Sequence, residues 1–383
     1  MAELADLVAG RDTIVVVGPG GVGKTTTSAS IALHAARQGR KVLVLTVDPA
    51  RRLATALGLD ALGGNEARVS PAHFAKAGVS LGSGALYAMM LDTKSTFDAL
   101  VHRHAPSASA RDGILNNPFY KQASTTLAGS QEYMAMEKLY ELREERDYDL
   151  IVLDTPPAVN AADFFDAPER MTGFLDSGSL SFLLSGMRRA GRFGFGIFNS
   201  LLARVMNRFV GARTFMDILN FVQAFSGMFA GFKERAKRVA EMLRSPSTGF
   251  VIVSSTETVS LSEAASLHAH LKAQDMPFAA LLINRLRYPH LASEDLEGLS
   301  ERFLEGFKRV DGGEEADLLA SAEGLEAACR DYAMLADVDA ERVAEIAARF
   351  GEDGGNIWTV PLFHQDVHDI ASLSAFADHV FSS

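Results

Sequence analysis

Short apolar runs alternate with longer helix-like stretches along this 383-residue chain. Thr13-Ile14-Val15-Val16-Val17 has no polar alternation, which is the pattern of a parallel strand buried on both faces. Comparable runs follow at 41–47, 86–91, 149–153, 250–254, 280–283 and 357–360. Seven strands separated by helical stretches predict an α/β fold, a doubly wound, mostly parallel sheet of about seven to eight strands covered on both faces. Ligands of such sheets bind at the carboxyl ends of the strands. The loop after Val17, and Asp48, Asp92 and Asp154, all fall at such ends and are expected to converge on one site.

Two stretches break the alternation. Residues 163–243 carry no strand pattern and read as a hydrophobic helical insertion. Residues 293–350 read as a second one, rich in Glu and Ala and broken at Asp311-Gly312-Gly313. A turn is expected at 351–355, before the last strand. Residues 1–383 are thus expected to form a single domain that carries both insertions.

Inside the first insertion, Phe174 to Phe232 holds 11 of the 24 phenylalanines, and Ile197, Leu201, Val205 and Phe209 recur at every fourth position as one apolar face. Between Asp176 and Asp217 stand six arginines (Arg188, Arg189, Arg192, Arg204, Arg208 and Arg213) and no acid. Leaving a phenylalanine in water forgoes roughly 1.5–3 kcal/mol, so most of these rings must pack somewhere. Three readings stand side by side: a cap packed on the sheet, a groove that accepts a hydrophobic client helix, and a face that meets an anionic membrane surface through 174–232.

The net charge of −11 argues against general nucleic-acid binding, for which a basic domain is expected. Cys329 is the single cysteine, so one chain can form no disulfide, no Cys-x-x-Cys zinc site and no Cys-ligated iron–sulfur cluster. Met1-Ala2-Glu3-Leu4-Ala5-Asp6 lacks the basic start and apolar core of a secretory leader, and no run of 18 uncharged apolar residues occurs. A cytoplasmic location is expected, with a peripheral place at the inner face of the membrane left open.

Gly18-Pro19-Gly20-Gly21-Val22-Gly23-Lys24-Thr25 carries the chemistry. It fits a glycine-rich loop whose backbone N–H groups cradle phosphates, between a strand and a helix that runs on through Thr26 to Arg37. In that mechanism Lys24 lies against the β- and γ-phosphates, and the Thr25 hydroxyl ligates Mg²⁺. Gly18, Gly20 and Gly23 also satisfy a dinucleotide-binding pattern, but that loop has no use for the Lys24-Thr25 pair. ATP with Mg²⁺ is therefore the expected ligand, bound by Gly20, Gly21, Val22, Gly23, Lys24, Thr25 and Thr26. Asp154, followed by Thr155-Pro156-Pro157, can orient the water shell of the metal opposite Thr25, or it can serve local turn amides. Asp48, held out of the helical region by Pro49, can orient the attacking water, or it can cap the helix that follows. The histidines at 364 and 368 are four apart without the Glu that a zinc helix carries, and Cys329 reads as a small packer.

Together these segments resemble the family of arsenite-pump ATPases and tail-anchored-protein targeting ATPases. Gly18 to Thr26, Asp48-Pro49-Ala50 and Asp154-Thr155-Pro156-Pro157 carry the likeness. The segments 127–138 and 163–170 resemble a bacterial branch, and the likeness runs from Thr13 to Ile370. The resemblance implies a dimeric ATPase with Asp48 and Lys24 as catalytic residues, Asp154 as the second switch aspartate, and Asn284 and Pro361 beside the adenine. Departures are equally plain. Pro19 stands where members carry a second lysine that reaches the partner's phosphates, and the arsenite-binding and zinc-binding cysteines are missing. A Cys-triggered arsenite pump subunit is not expected. The missing cation is supplied either by Arg51 or Arg52, or by a lysine-bearing paralogue in a heterodimer in place of a homodimer. The leading expectation is an ATP-hydrolysing switch that couples nucleotide state to a helical client- or partner-binding subdomain. A metabolic phosphotransferase or ligase, and a partition-type membrane-associated ATPase, are the alternatives.

Overall fold

The computed structural model describes residues 4–48, 52–126, 130–156, 227–289, 296–310, 315–350 and 356–381, with the single positions 173, 217, 221, 225 and 291. In chain order the elements begin with α1 (Leu4–Ala9), β1 (Thr13–Val17), α2 (Lys24–Arg37), β2 (Lys41–Thr46), α3 (Arg52–Ala56), β3 (Ala67–Arg68), α4 (Pro71–Lys76) and β4 (Ala85–Met90). Helices α5 (Thr93–His104), α6 (Ala108–Leu115), α7 (Pro118–Thr126) and α8 (Ser130–Glu145) then lead into β5 (Leu150–Asp154). The chain continues with α9 (Phe229–Arg244), β6 (Thr248–Ser255), α10 (Thr258–Ala273), β7 (Phe278–Leu286), α11 (Leu299–Val310), α12 (Glu315–Phe350), β8 (Ile357–Pro361) and α13 (Ile370–Phe381).

The strands form one sheet in the order β3-β4-β2-β5-β1-β6-β7-β8. All pairings are parallel except that of β3 with β4. The two-residue β3 is an edge addition too short to leave a periodic trace in the sequence. Every residue of β1 and β5 is buried, as continuous apolar runs demand of strands covered on both sides. Successive side chains point to opposite faces. Val15, Leu43, Leu45, Ile151, Leu153 and Ile252 therefore join one core, and Ile14, Val16, Val42, Val44, Val152 and Val251 the other. Helices α8, α9 and α10 cover the first face, and α2 and α13 the second.

Register places the chemistry. Val16 of β1 and Thr46 of β2 both stand level with Asp154, the last residue of the intervening β5. Three strands thus end at one height around a buried carboxylate.

Of the first insertion, α9 and a few single positions are described. The apolar face at 197–209 and the six arginines at 188–213 lie outside the described residues, as does the turn at 351–355. The described rings do pack. Phe225 and Phe232 have ring centroids 5.0 Å apart, and Phe97 of α5 lies 6.3 Å from Phe232. In the second insertion α11 and α12 flank positions 311–314, and α12 runs for 36 residues. It is anchored by Phe350, which stacks on His268 of α10 with centroids 4.1 Å apart. Half-buried Cys329 lines a small apolar cavity of about 180 Å³ with Leu291, Leu296, Ala328, Tyr332 and Ala333, and is a packing residue there. Among the described residues no helix is long and apolar enough to cross a membrane.

Candidate nucleotide and metal site

The loop from Gly18 to Gly23 is shaped by backbone that only glycine adopts readily. Gly18 has φ +148° and packs so close to the Val253 carbonyl of β6 that a Cβ would collide with backbone. Gly23 has φ +100° and is the N-cap of α2, and a Cβ there would run into the Asn284 amide. This cap uses no side chain, so the first-turn N–H groups of α2, from Lys24 to Thr26, are left for a ligand. With the helix dipole behind them they form an anion site that suits the phosphates of a nucleotide.

The Lys24 side chain is buried, and its ammonium donates to the carbonyls of Gly18 at 2.9 Å and Pro19 at 2.7 Å. A cation folded onto its own loop is positioned to turn outward to a phosphate. Burial is the largest influence on its pKa and lowers it from the usual lysine value; Asp154 and Asp48 pull it up, and Arg52 pushes it down. Asp48 and Arg52 therefore act on the same charge, although Arg52 is exposed at the start of α3. Arg51 lies outside the described residues.

Asp154 is fully buried and accepts hydrogen bonds from Thr25 Oγ1 at 2.8 Å, Thr46 Oγ1 at 2.9 Å and, more weakly, Ser28 Oγ at 3.4 Å. Burial nevertheless dominates and raises its carboxyl pKa to about 6, against the pull of the two threonine hydroxyls and Lys24. A buried carboxylate with only hydroxyls about it and a lysine nearby is under-compensated. A divalent cation beside the Thr25 hydroxyl would relieve that, so the donor set fits Mg²⁺. The Asp48 N–H donates to Thr46 Oγ1 at 3.2 Å, which ties the turn after β2 to the same cluster.

One expected convergence fails. Asp92 follows β4, but its carboxylate caps α5, accepting from Ser95 N at 2.9 Å and Ser95 Oγ at 2.9 Å. An N-cap bond of this kind satisfies a first-turn donor of the helix, and it engages the Asp92 carboxylate locally. Asn284 and Pro361 stand on the other flank of the loop. Asn284, buried at the end of β7, donates to the Val22 carbonyl at 2.9 Å, while Pro361 ends β8 level with Leu286. On this flank a cleft of about 400 Å³ is lined by Gly20, Gly21, Val22, Thr256, Arg287 and Leu362, among others, while Asn284 and Pro361 themselves do not line it.

The family profile of the anion-transporting ATPases matches residues 11–303. The chain belongs to this family. Membership makes it an ATPase. It is similar to ATPase GET3 of Malassezia globosa, 26% identical over 283 residues that cover 72% of this chain and 73% of that protein. ATPase get3 of Aspergillus terreus is 27% identical, with 73% and 75% covered. The uncharacterised protein SCO2128 of Streptomyces coelicolor is 36% identical over 160 residues, 42% of this chain and 37% of that protein.

Within this family architecture, sequence reasoning passed over Thr46 and Ser28, the hydroxyl partners of Asp154. A polar residue closing the otherwise apolar run of β2 was the signal for Thr46. Ser28, one helical turn after Lys24, left none beyond its spacing.

The loop geometry carries a direct prediction. Gly23→Ala places a Cβ against Asn284 in a backbone region that costs a non-glycine residue about 1–3 kcal/mol. ATP affinity of this ATPase should fall about tenfold or more by calorimetric titration. Unchanged affinity would mean that the loop relaxes without loss of the cradle.

Proposed function

We propose that this ATPase is a magnesium-dependent switch. Lys24 and the amides from Gly20 to Thr26 hold the phosphates, Thr25 and Asp154 hold the metal and its water, and Asp48 orients the attacking water. The Thr25–Asp154 hydrogen bond of 2.8 Å beside Lys24 carries this reading, because it joins a metal-ligating hydroxyl to an under-compensated carboxylate at the loop. Mg²⁺ bound there supplies charge neutralisation of the phosphates. The chain's own residues position the groups around it.

Binding and hydrolysis at such a site are read out by the strands that end on it. Val47 N donates to the Asp154 carbonyl, and Gln131 Nε2 of α8 donates to the Val47 carbonyl at 3.3 Å. Helix α8 packs on α9, which emerges from the first insertion. A shift of Asp48 on loss of the γ-phosphate thus has a packed route to the phenylalanine-rich segment, the proposed surface for a hydrophobic client or partner. The active form is proposed to be a dimer with two nucleotides, as the family resemblance implies.

Pro19 cannot supply a cation, and Arg52 is proposed to do so, because it opens α3 four residues after Asp48, where its positive charge also opposes that of Lys24. Single-turnover hydrolysis by the purified chain tests this. The chain alone should turn over ATP, and Arg52→Ala should slow it roughly tenfold, the worth of one exposed charge-assisted hydrogen bond. Hydrolysis that appears only with a lysine-bearing paralogue would assign the cation to a heterodimer.

A further inference from the structure

Beyond residue 303, where the family match ends, the chain still reaches the nucleotide cleft. Helix α12 buries Asp339 completely, and this carboxylate grips one arginine. Arg287 Nε donates to Oδ2 at 2.8 Å, Nη2 to Oδ1 at 3.0 Å, and the Arg287 backbone N–H to Oδ2 at 3.1 Å. The Thr256 side chain also bonds to Asp339, and Arg342 Nη1, one turn further along α12, donates to the Thr256 carbonyl at 3.0 Å. Both Thr256 and Arg287 line the cleft beside Gly20, Gly21 and Val22.

Burying a carboxylate is expensive, and an ion pair of this kind commonly stabilises a fold no better than apolar packing would. What the fork-on-fork arrangement does supply is a fixed guanidinium plane. The backbone next to it is also constrained. Arg285 is held at φ +61°, a left-handed conformation unusual for a bulky residue, and its N–H donates to Asn284 Oδ1 at 2.9 Å. Asn284 in turn bonds to Val22 of the phosphate loop. Strain of this sort gathers where a ligand is clamped.

Sheet order indicates which half of the ligand lies here. The metal-side groups Thr46 and Asp154 end β2 and β5, on one side of β1. The cleft lies over the ends of β6 and β7 and beside Leu362 after β8, on the other side. With the γ-phosphate directed to the first side, the ribose and base extend to the second. We propose that Arg287 contacts the nucleoside half of the nucleotide and that Asp339 is its positioning residue, so that α12 forms one wall of the nucleotide site. This rests on the ATP reading of the phosphate loop.

Titration of the full chain with Mg·ATP, Mg·ADP and inorganic tripolyphosphate separates the possibilities. Arg287→Ala should weaken ATP and ADP equally, by about tenfold, and leave tripolyphosphate binding as in the wild type. In steady-state hydrolysis KM should carry the loss, because contact with the nucleoside is uniform between ground and transition states. Asp339→Ala should reproduce the same selective loss, the double variant should add nothing further, and Asp339→Asn should recover part of it. Equal weakening of tripolyphosphate would place Arg287 on the phosphates and overturn the proposal. Unchanged ATP affinity with a lowered melting temperature would reduce the pair to a staple for α12. Should Asp339→Ala fail to fold, Arg287→Lys, which keeps the charge and loses the fork, must show the selective loss, and wild-type affinity in that variant overturns the proposal. Absence of ATP binding by the wild-type chain would instead refute the ATP reading itself.

Discussion

Asp154→Asn should make the nucleotide-free protein more stable at neutral pH while lowering magnesium-dependent hydrolysis about 100-fold. The two effects have one cause. Folding buries this carboxylate and raises its pKa to about 6 from an ordinary value of 3.8. Between those values the native state holds a proton that the unfolded chain has released. Stability contributed by this group therefore falls as pH rises from about 4 to about 6, and above that the ionised carboxylate is a net cost. A shift of this size corresponds to about 1–3 kcal/mol at pH 7, or a rise of a few degrees in melting temperature when asparagine removes the charge. The same charge is what a metal and its water shell need, and losing a group that orients a metal's ligands costs up to about 100-fold. Protons compete with the cation for Asp154, so Mg·ATP affinity of the wild type should decline as pH drops through about 6 and level off above it. Differential scanning calorimetry without nucleotide, from pH 4 to 8, with titrations across the same range, checks both halves. A variant that is destabilised throughout would show that the hydroxyl contacts of Thr25 and Thr46 outweigh burial.

How much of this was legible in the chain depends on how local each signal is. The central strands β1, β2, β5 and β6 carry continuous apolar runs, and a run buried on both faces declares itself without any neighbour. The phosphate loop is also local, since glycine conformations, the lysine and the following helix are contiguous. Asp154 could be placed at a strand end, but the register that sets it level with Thr46 depends on pairing across more than a hundred residues, which no window of sequence contains. Asp92 failed for the opposite reason. A strand-end aspartate followed three residues later by a serine is equally a helix cap, and the local hydrogen bond prevailed. Arg287 and Asp339 lie 52 residues apart on a strand end and the middle of a long helix. Each alone reads as a surface charge. Only the crossing of α12 over the end of β7 turns them into an ion pair whose carboxylate is buried.

Asp48→Asn is expected to yield an ATPase that binds ATP with near wild-type affinity and hydrolyses it 10²- to 10⁴-fold more slowly, the usual worth of a positioned general base. The aspartate stands two residues past the end of β2, its N–H is tied to Thr46 Oγ1, and its charge acts on Lys24. That places it on the flank where the γ-phosphate must lie, yet apart from the Thr25–Asp154 pair that answers to the metal. Asparagine keeps the size and the backbone bond while removing the proton acceptor, so binding and chemistry should separate. Rapid-quench hydrolysis and nucleotide titration on the same preparation test this. Parallel loss of affinity and rate would move Asp48 from the attacking water to the metal or the phosphates. If the separation holds, the variant remains in its ATP-bound conformation. A client or partner whose capture depends on that conformation should then co-purify with Asp48→Asn and not with Lys24→Ala, in which the phosphates have lost their buried cation.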